Sequence, residues 1–165
     1  MPTALDPVPL LRELHEHGVD HIVIGGLAVS AHGHVRPSKD LDIVPNPDPE
    51  NLARLARMLV EIDARQVGVG DDFKPEEFPF DPTDPVQLAE GANFRLETRL
   101  GAMDILQWVS GIDEELAYVE LDRDALRGSV EGVPVRVCGL EHLRAMKRAA
   151  GRPQDLEDLR RLDVD

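Results

Sequence analysis

Two aspartates separated by a single residue are the side chains of this sequence best suited to metal chemistry. Asp40 and Asp42 lie in the segment SKDLDIV, which is predicted to be a β-strand. Residues two apart on a strand point to the same face, so the two carboxylates lie side by side while Leu41 and Ile43 face the core. Adjacent carboxylates repel each other unless a cation or a proton lies between them. Hard oxygen ligands of this kind suit Mg²⁺, which binds one or two carboxylates together with substrate phosphates.

A third aspartate lies in a later apolar segment. Residues 102–109, AMDILQWV, are also predicted to form a strand, and Asp104 is the single charged residue in this segment. Burying an unpaired carboxylate among apolar side chains is costly. Asp104 therefore either faces water on an edge strand or joins Asp40 and Asp42 as a third metal ligand, and the upstream acidic pair favours the metal site.

The elements that must position these carboxylates begin with a glycine pair. Gly25 and Gly26 follow a short apolar strand predicted over 21–24 and precede a helix predicted over 27–31. Without a Cβ, a glycine lets a phosphate approach the backbone closely, and the free N–H groups at the start of a helix suit an anion. A glycine turn after a strand is common by itself. Its position before the acidic strand argues against an accidental turn and favours a phosphate-binding role.

The segment GGLAVSAHGHVRPSKDLDIV resembles the nucleotidyltransferase superfamily that shares its catalytic core with DNA polymerase β. That family has a strand ending in GG or GS, then an acidic pair with one residue between, and a third carboxylate on a later strand. The small AbiEii-like branch is similar in more detail, including the C-terminal text LEHLRAMKRAAGRPQDLEDL. The matching residues are Gly25, Gly26, Ala28, His32, Gly33, Arg36, Ser38, Asp40, Leu41, Asp42, Lys147, Gly151, Arg152, Pro153, Asp155 and Asp158.

The resemblance implies a fold, a reaction and a set of site residues. The fold is α/β (α+β), a small mixed β-sheet with helices packed on it, in a single domain over residues 1–165. The reaction is Mg²⁺- or Mn²⁺-dependent transfer of a nucleoside monophosphate from an NTP, such as ATP, to an acceptor hydroxyl. Family relatives use a small molecule, a protein or a tRNA end as acceptor. Asp40, Asp42 and Asp104 are the implied metal ligands and catalytic residues. The implied nucleotide-binding residues are Gly25, Gly26, Ser30, Arg36, Lys39 and Lys147.

Four of these residues also have simpler interpretations. Ser30, one helical turn after the glycines, either donates to a phosphate or lies on the helix surface. Arg36 and Lys39 flank the acidic strand and either neutralise triphosphate charge or are solvated. Lys147 either points at the triphosphate, as the resemblance implies, or snorkels along its apolar helix, in which case its truncation would change stability little.

The composition argues against several classes of protein. A length of 165 residues suits one domain, and a net charge of −14 argues against nonspecific binding to nucleic acid. Basic residues nevertheless gather within residues 144–161. The single cysteine, Cys138, excludes an intramolecular disulfide and is predicted to be buried at a strand end. The sequence shows neither an apolar run of membrane-spanning length nor a secretory signal, which predicts a cytoplasmic protein without a membrane partner.

The rest of the chain is predicted to contain helices and short strands. The helices are predicted after Asp6, after Asp48, over 140–150 and from Pro153, and further strands over 93–98, 118–121 and 133–137. Residues 68–92 are rich in proline and acids. They are predicted to be a loop without regular elements, either close to the site or a solvated linker.

Two other functions are compatible with the same residues. The fold could serve as a catalytically inactive binding module, of the toxin–antitoxin type, with a cognate partner protein. The presence of all three carboxylates argues against such a decayed site. A metal-dependent phosphohydrolase is the other alternative, and the glycine turn and the late lysine favour a transferase over it.

Overall fold

The computed structural model describes residues 3–68, 81–113 and 116–163, and within these residues the chain forms one seven-stranded mixed sheet with seven helices. This is the predicted α/β class. The elements are α1 (Val8–Glu16), β1 (His21–Ile24), α2 (Gly25–Ala31), β2 (Asp40–Pro45), α3 (Pro49–Glu61), β3 (Arg65–Gly68), α4 (Pro85–Ala89), β4 (Phe94–Thr98), β5 (Gly101–Ile105), α5 (Ala117–Asp122), β6 (Leu126–Val130), β7 (Val133–Val137), α6 (Leu140–Ala150) and α7 (Pro153–Leu162).

The strand order brings the acidic segments together at the middle of the sheet. The order is β3-β4-β5-β2-β1-β7-β6, with β2 parallel to β5, β1 parallel to β7 and antiparallel pairing elsewhere. Asp42 on β2 pairs in register with Asp104 on β5. On its other side, Asp42 pairs with Ile24, the last residue of β1, so the turn that follows β1 lies beside it.

The core follows the predicted periodicities. Leu41 and Ile43 are fully buried, while Asp40 and Asp42, which alternate with them, are only partly buried. In α3, buried leucines recur at helical spacing, and α6 and α7 begin and end where the pattern places them. Cys138 is fully buried directly after β7, as predicted.

Two predicted strands differ from the structure. Residues 118–121 belong to helix α5, because Ala117, Tyr118 and Leu121 put their buried side chains on one helical face. The strand predicted over 102–109 ends at Ile105. The Leu106 N–H still donates to the Ile43 carbonyl of β2, but the N–H groups of residues 107 and 108 donate to the Asn93 side chain and not to a neighbouring strand.

The segment predicted as an acidic loop contains regular structure. Residues 69–80 lie outside the described part of the chain, but 85–89 form helix α4. Asp84 caps this helix by accepting a hydrogen bond from the Val86 N–H, and Pro85 occupies the first turn, where its missing N–H costs nothing. Leu88 anchors the helix in the core. No helix in the described residues is long and apolar enough to cross a membrane.

Candidate active site

The three predicted aspartates meet at one point above the sheet. Asp40 and Asp42 come from β2 and Asp104 from the parallel neighbour β5. One carboxylate oxygen of each residue lies within 4.8 Å of the corresponding oxygens of the other two. The convergence predicted from the sequence is therefore present in the structure.

The negative charges of the triad carboxylates are poorly compensated by nearby cations and hydrogen-bond donors. Burial, repulsion from Asp40 and the contact with Asp104 raise the pKa of Asp42 well above the ordinary value of a carboxyl. Burial and Asp40 also raise the pKa of Asp104, to about 6. The Oδ1 atom of Asp104 is buried without a hydrogen-bond partner among the described residues, since the nearest cation, Arg95 Nε, is 3.9 Å away. A divalent cation would relieve each of these costs, so the residues present fit such an ion.

The glycine pair is required by close contacts with the chain's own side chains. Gly25 has φ of +70°, and a Cβ there would lie 2.0 Å from Asp42 Oδ2. A Cβ on Gly26 would lie 2.9 Å from Ser38 Oγ and 3.1 Å from the Arg36 guanidinium. The expectation was that the missing Cβ leaves open space for a phosphate. In the structure this space holds Asp42, Ser38 and Arg36, although both glycines line clefts beside the triad.

Lys147 does not snorkel, contrary to one of its two interpretations. Its side chain is buried between two carboxylates, with Nζ 3.0 Å from Asp155 Oδ1 and 2.9 Å from Asp158 Oδ2. An ammonium has three donors, so one remains for a ligand on the side of the cleft that Lys147 lines together with Asp42. These contacts argue against the prediction that truncating Lys147 changes stability little, because each of two buried carboxylates would lose one of the cations that bind it.

Arg36 forms an ion pair with Asp158, one of the two aspartates that also bind Lys147. Its Nε and Nη2 donate to the two oxygens of Asp158 at 2.8 and 2.9 Å, and Nη1 donates to the Pro37 carbonyl at 3.0 Å. Against the opposing effect of burial, hydrogen bonds from Arg36 and Lys147 lower the pKa of Asp158. In the same way, hydrogen bonds from Arg152 and Lys147 lower the pKa of Asp155. The buried aspartates of α7 thus fix three cations around the triad.

The triad opens into a cleft of about 730 Å³ whose walls carry more positive charge than the chain as a whole. Lys39 is exposed there and forms no ion pair within the described part of the chain. A cleft with carboxylates that could hold a metal ion, and with surrounding cations, suits a polyanion such as a triphosphate. The basic side chains that line it are Arg36, Lys39, Arg95, Lys147 and Arg152.

Some predicted residues lie elsewhere. The Ser30 hydroxyl exchanges hydrogen bonds with the backbone of Arg36, at 3.2 and 3.3 Å, and Ser30 lines a separate groove between α2 and the β6–β7 hairpin. Of the basic residues gathered in 144–161, only Lys147 and Arg152 line the cleft. Arg144, for example, pairs with Glu141 and Asp163 on the outside of the helices.

Sequence reasoning missed Arg95 and Trp108. Arg95 faces Asp104 across the β4–β5 hairpin, and counting residues back from its tight turn would have paired them. The sequence pattern places Trp108 within a strand, whereas in the structure Trp108 follows strand β5 and lines a cleft next to Asp42. Trp108 is 58% exposed because a turn replaces the predicted end of the strand. The pattern of apolar and polar residues does not predict this turn.

Comparisons with known proteins support the fold. No family model and no curated protein sequence matches the chain. Among solved structures, ANT(2″)-Ia in complex with adenylyl-2″-tobramycin matches 93% of this chain and 83% of its own, with a TM-score of 0.57 and 18% identity. TM1012 of Thermotoga maritima, a candidate nucleotidyltransferase, matches 95% and 93%, with a TM-score of 0.58 and 17% identity. An antigenic nucleotidyltransferase-like protein of Paracoccidioides brasiliensis matches 98% and 78%, with a TM-score of 0.55 and 14% identity. The chain therefore has a nucleotidyltransferase-like fold.

Proposed function

We propose that this protein is a metal-dependent nucleotidyltransferase that moves a nucleoside monophosphate from an NTP to a hydroxyl of an acceptor. The observation that carries the proposal is the convergence of Asp40, Asp42 and Asp104, with an unsatisfied buried oxygen, at the floor of a cation-lined cleft. The nucleotidyltransferase-like fold agrees with it. Neither a structural carboxylate cluster nor a simple anion site accounts for both the triad and the surrounding cations.

The triad residues would hold Mg²⁺ or Mn²⁺. Such ions, when bound, neutralise phosphate oxygens and lower the pKa of an attacking hydroxyl. Lys147, with its remaining N–H donor, and Arg152 would neutralise the triphosphate and the pyrophosphate that leaves. Lys39, exposed at the mouth of the cleft, is suited to guide the anion in. Gly25 and Gly26 would contribute by bringing Asp42 and Arg36 close to the bound nucleotide.

In this reaction the acceptor oxygen attacks the α-phosphorus and loses its proton to solvent water. A new bond forms between that oxygen and phosphorus, and the bond to pyrophosphate breaks. No protein nucleophile takes part, so the chain contributes position and charge rather than covalent chemistry. The rigid network of Asp155, Asp158, Arg36 and Lys147 is suited to that task, because its members are mutually fixed by hydrogen bonds before substrate arrives.

The acceptor we propose is a small molecule. ANT(2″)-Ia has been seen with adenylyl-2″-tobramycin, an adenylylated small molecule. The net charge of −14 favours a cationic acceptor over a large RNA. The motif resemblance further suggests ATP as one donor, membership of the AbiEii-like branch and action in the cytoplasm. A cognate partner protein of toxin–antitoxin type belongs to the alternative, in which the fold only binds.

The test is transfer of label from α-labelled NTPs. Purified protein is incubated with Mg²⁺ and each of the four NTPs, with a panel of cationic small molecules and with a cell extract, and both label transfer and pyrophosphate release are measured. We expect label on an acceptor and stoichiometric pyrophosphate. The matched control is Asp40→Asn with Asp42→Asn, which keeps side-chain size. Release of phosphate alone would support a phosphohydrolase, and the absence of any turnover by folded protein would support the binding module.

A further inference from the structure

A second cleft adjoins the triad on the side of α6. It has a volume of about 210 Å³ and shares Asp42, Lys147 and Arg152 with the larger, cation-lined cleft. A ligand whose phosphates occupy the larger cleft can therefore extend into the smaller one without leaving the protein surface. Gly25 also lines the smaller cleft, so the two clefts meet at the glycine turn.

The walls of the smaller cleft are largely apolar. They combine residues that follow β5 with one side of α6, which differs from the charged lining of the larger cleft. A triphosphate would be poorly solvated against such walls, whereas an uncharged group would be stabilised by burial. The apolar lining residues are Ile24, Leu106, Val109, Leu143, Met146 and Ala150.

Trp108 lines this cleft and is 58% exposed, while hydrogen bonds from a neighbouring side chain hold its backbone. Asn93 Oδ1 accepts a hydrogen bond from the backbone N–H of Trp108 at 3.2 Å, and Asn93 Nδ2 donates to the backbone carbonyl of Trp108 at 3.0 Å. Gly91, with φ of +83°, leaves room for the ring, because a Cβ there would lie 3.2 Å from Nε1. The backbone that carries this large aromatic side chain is thus held in place, and the ring is left largely uncovered beside the triad.

We propose that this smaller cleft binds the nucleobase of the NTP and that Trp108 stacks on it. The inference rests on the proposed function, because it takes the triphosphate to occupy the larger cleft. Nucleobases have flat, uncharged faces that stack on aromatic side chains, and every base has such a face. The stack would hold the base while the shared residues Lys147 and Arg152 face the phosphates. Trp108 is accordingly a binding residue for the donor nucleotide.

The chain contains a single tryptophan, so its fluorescence reports on this cleft alone. Wild-type protein is titrated in Mg²⁺ with a non-hydrolysable NTP and, separately, with inorganic tripolyphosphate, and binding is followed by both calorimetry and tryptophan fluorescence. We expect both ligands to bind and only the nucleotide to quench the fluorescence. Trp108→Leu should weaken nucleotide binding by about 10- to 100-fold, the scale of losing one base stack, and leave tripolyphosphate binding unchanged.

Two further variants make the result specific. Trp108→Phe keeps an aromatic face and should recover most of the nucleotide affinity, whereas Leu126→Ala alters a similarly exposed apolar residue away from both clefts and should change nothing. Nucleotide binding without quenching, at an affinity that Trp108→Leu does not change, would overturn the base assignment and leave the transferase proposal standing. Failure of both ligands to bind wild-type protein would instead overturn the proposed function, and this inference with it.

Discussion

Two clusters of aspartates lie side by side in the cleft, and their environments are opposite. Asp155 and Asp158 are the more deeply buried, at 2% and 0% exposure, yet every charge on them is matched by Lys147, Arg36 or Arg152. The triad of Asp40, Asp42 and Asp104 is less buried, and the ion pair that the described residues give it is a long one, from Arg95 to Asp104 at 3.9 Å. The pKa values of the first cluster are lowered, and those of Asp42 and Asp104 are raised.

The difference shows that burial alone does not mark a functional carboxylate. A buried aspartate with good cationic partners stabilises a structure, and here it also holds those cations in place. An aspartate that is held close to other carboxylates without a partner lowers stability, and this cost is expected where the missing partner is a ligand. Under the proposed function, the satisfied cluster, Asp155 and Asp158 of α7, and the unsatisfied triad perform complementary tasks at one site.

The largest expected effect comes from removing charge from the triad. Asp40→Asn combined with Asp42→Asn should lower nucleotidyl transfer by at least about 10⁴-fold, because each lost electrostatic group costs about 10²-fold or more. The fold should persist, since the substitutions remove repulsion rather than attraction. Label transfer measures the first effect and circular dichroism the second. Transfer of label by the double variant at the wild-type rate would show that the unpaired carboxylates of the triad are not needed for the reaction.

The next effect concerns the satisfied cluster. Lys147→Ala should lower the free energy of unfolding by about 3 kcal/mol, because each of two buried carboxylates loses one charged hydrogen bond while it keeps its arginine partner. Urea unfolding measures this change. Arg160→Ala is the matched control, since Arg160 is exposed, sits on the neighbouring helix and pairs only loosely with Glu157 at 3.7 Å. It should change stability by less than about 0.5 kcal/mol. Equal effects of the two variants would show that the buried pairs do not contribute.

A smaller effect is a pH dependence set by the triad. The folded-state pKa of Asp104 is about 6, above the unfolded value of about 4, so its contribution to stability is complete below pH 4 and is lost as pH rises through 6. Without Mg²⁺, the melting temperature of the wild type should therefore fall by about 3 to 6 °C relative to Asp104→Asn between pH 5 and pH 7.5.

The comparison with Asp104→Asn cancels titrating groups remote from the triad, such as His17, whose pKa is raised, whereas Asp42 contributes to the difference through its contact with Asp104. Asp20, Asp155 and Asp158 have lowered pKa values and lose their contribution only at more acidic pH. Saturating Mg²⁺ should reduce the fall for the wild type alone. A constant difference between the two proteins across this range would mean that Asp104 is not perturbed in the folded state.

The smallest effect is expected at the edge of the triad. Arg95 is half-exposed and 3.9 Å from Asp104, so Arg95→Gln should weaken Mg²⁺-dependent nucleotide binding by less than about tenfold and raise the pKa of Asp104 slightly. Calorimetric titration measures the affinity. Arg65→Gln, which alters an exposed pair with Glu97 on the neighbouring strands, should have no effect. A loss of more than 100-fold would make Arg95 a principal phosphate ligand.

The triad could be predicted from the sequence because the patterns that identify its members lie within a few residues of each aspartate. The alternation of Asp40 and Asp42 with apolar residues fixes their face, and an isolated acid in an apolar strand identifies Asp104. The satisfied cluster could not be predicted in this way. Arg36 and Asp158 are 122 residues apart, and nothing in either segment indicates that they meet. Trp108 was misplaced because a single side chain, Asn93, ends the strand before it.

The most direct test of the proposed metal site is calorimetric titration of Mg²⁺ together with a non-hydrolysable NTP into wild-type protein and into the Asp40→Asn, Asp42→Asn double variant. We predict Mg²⁺-dependent binding to the wild type, and no Mg²⁺-dependent component for the double variant, whose melting temperature without metal should be equal to or higher than that of the wild type. Equal Mg²⁺-dependent binding by the two proteins would contradict the assignment of Asp40 and Asp42 as metal ligands.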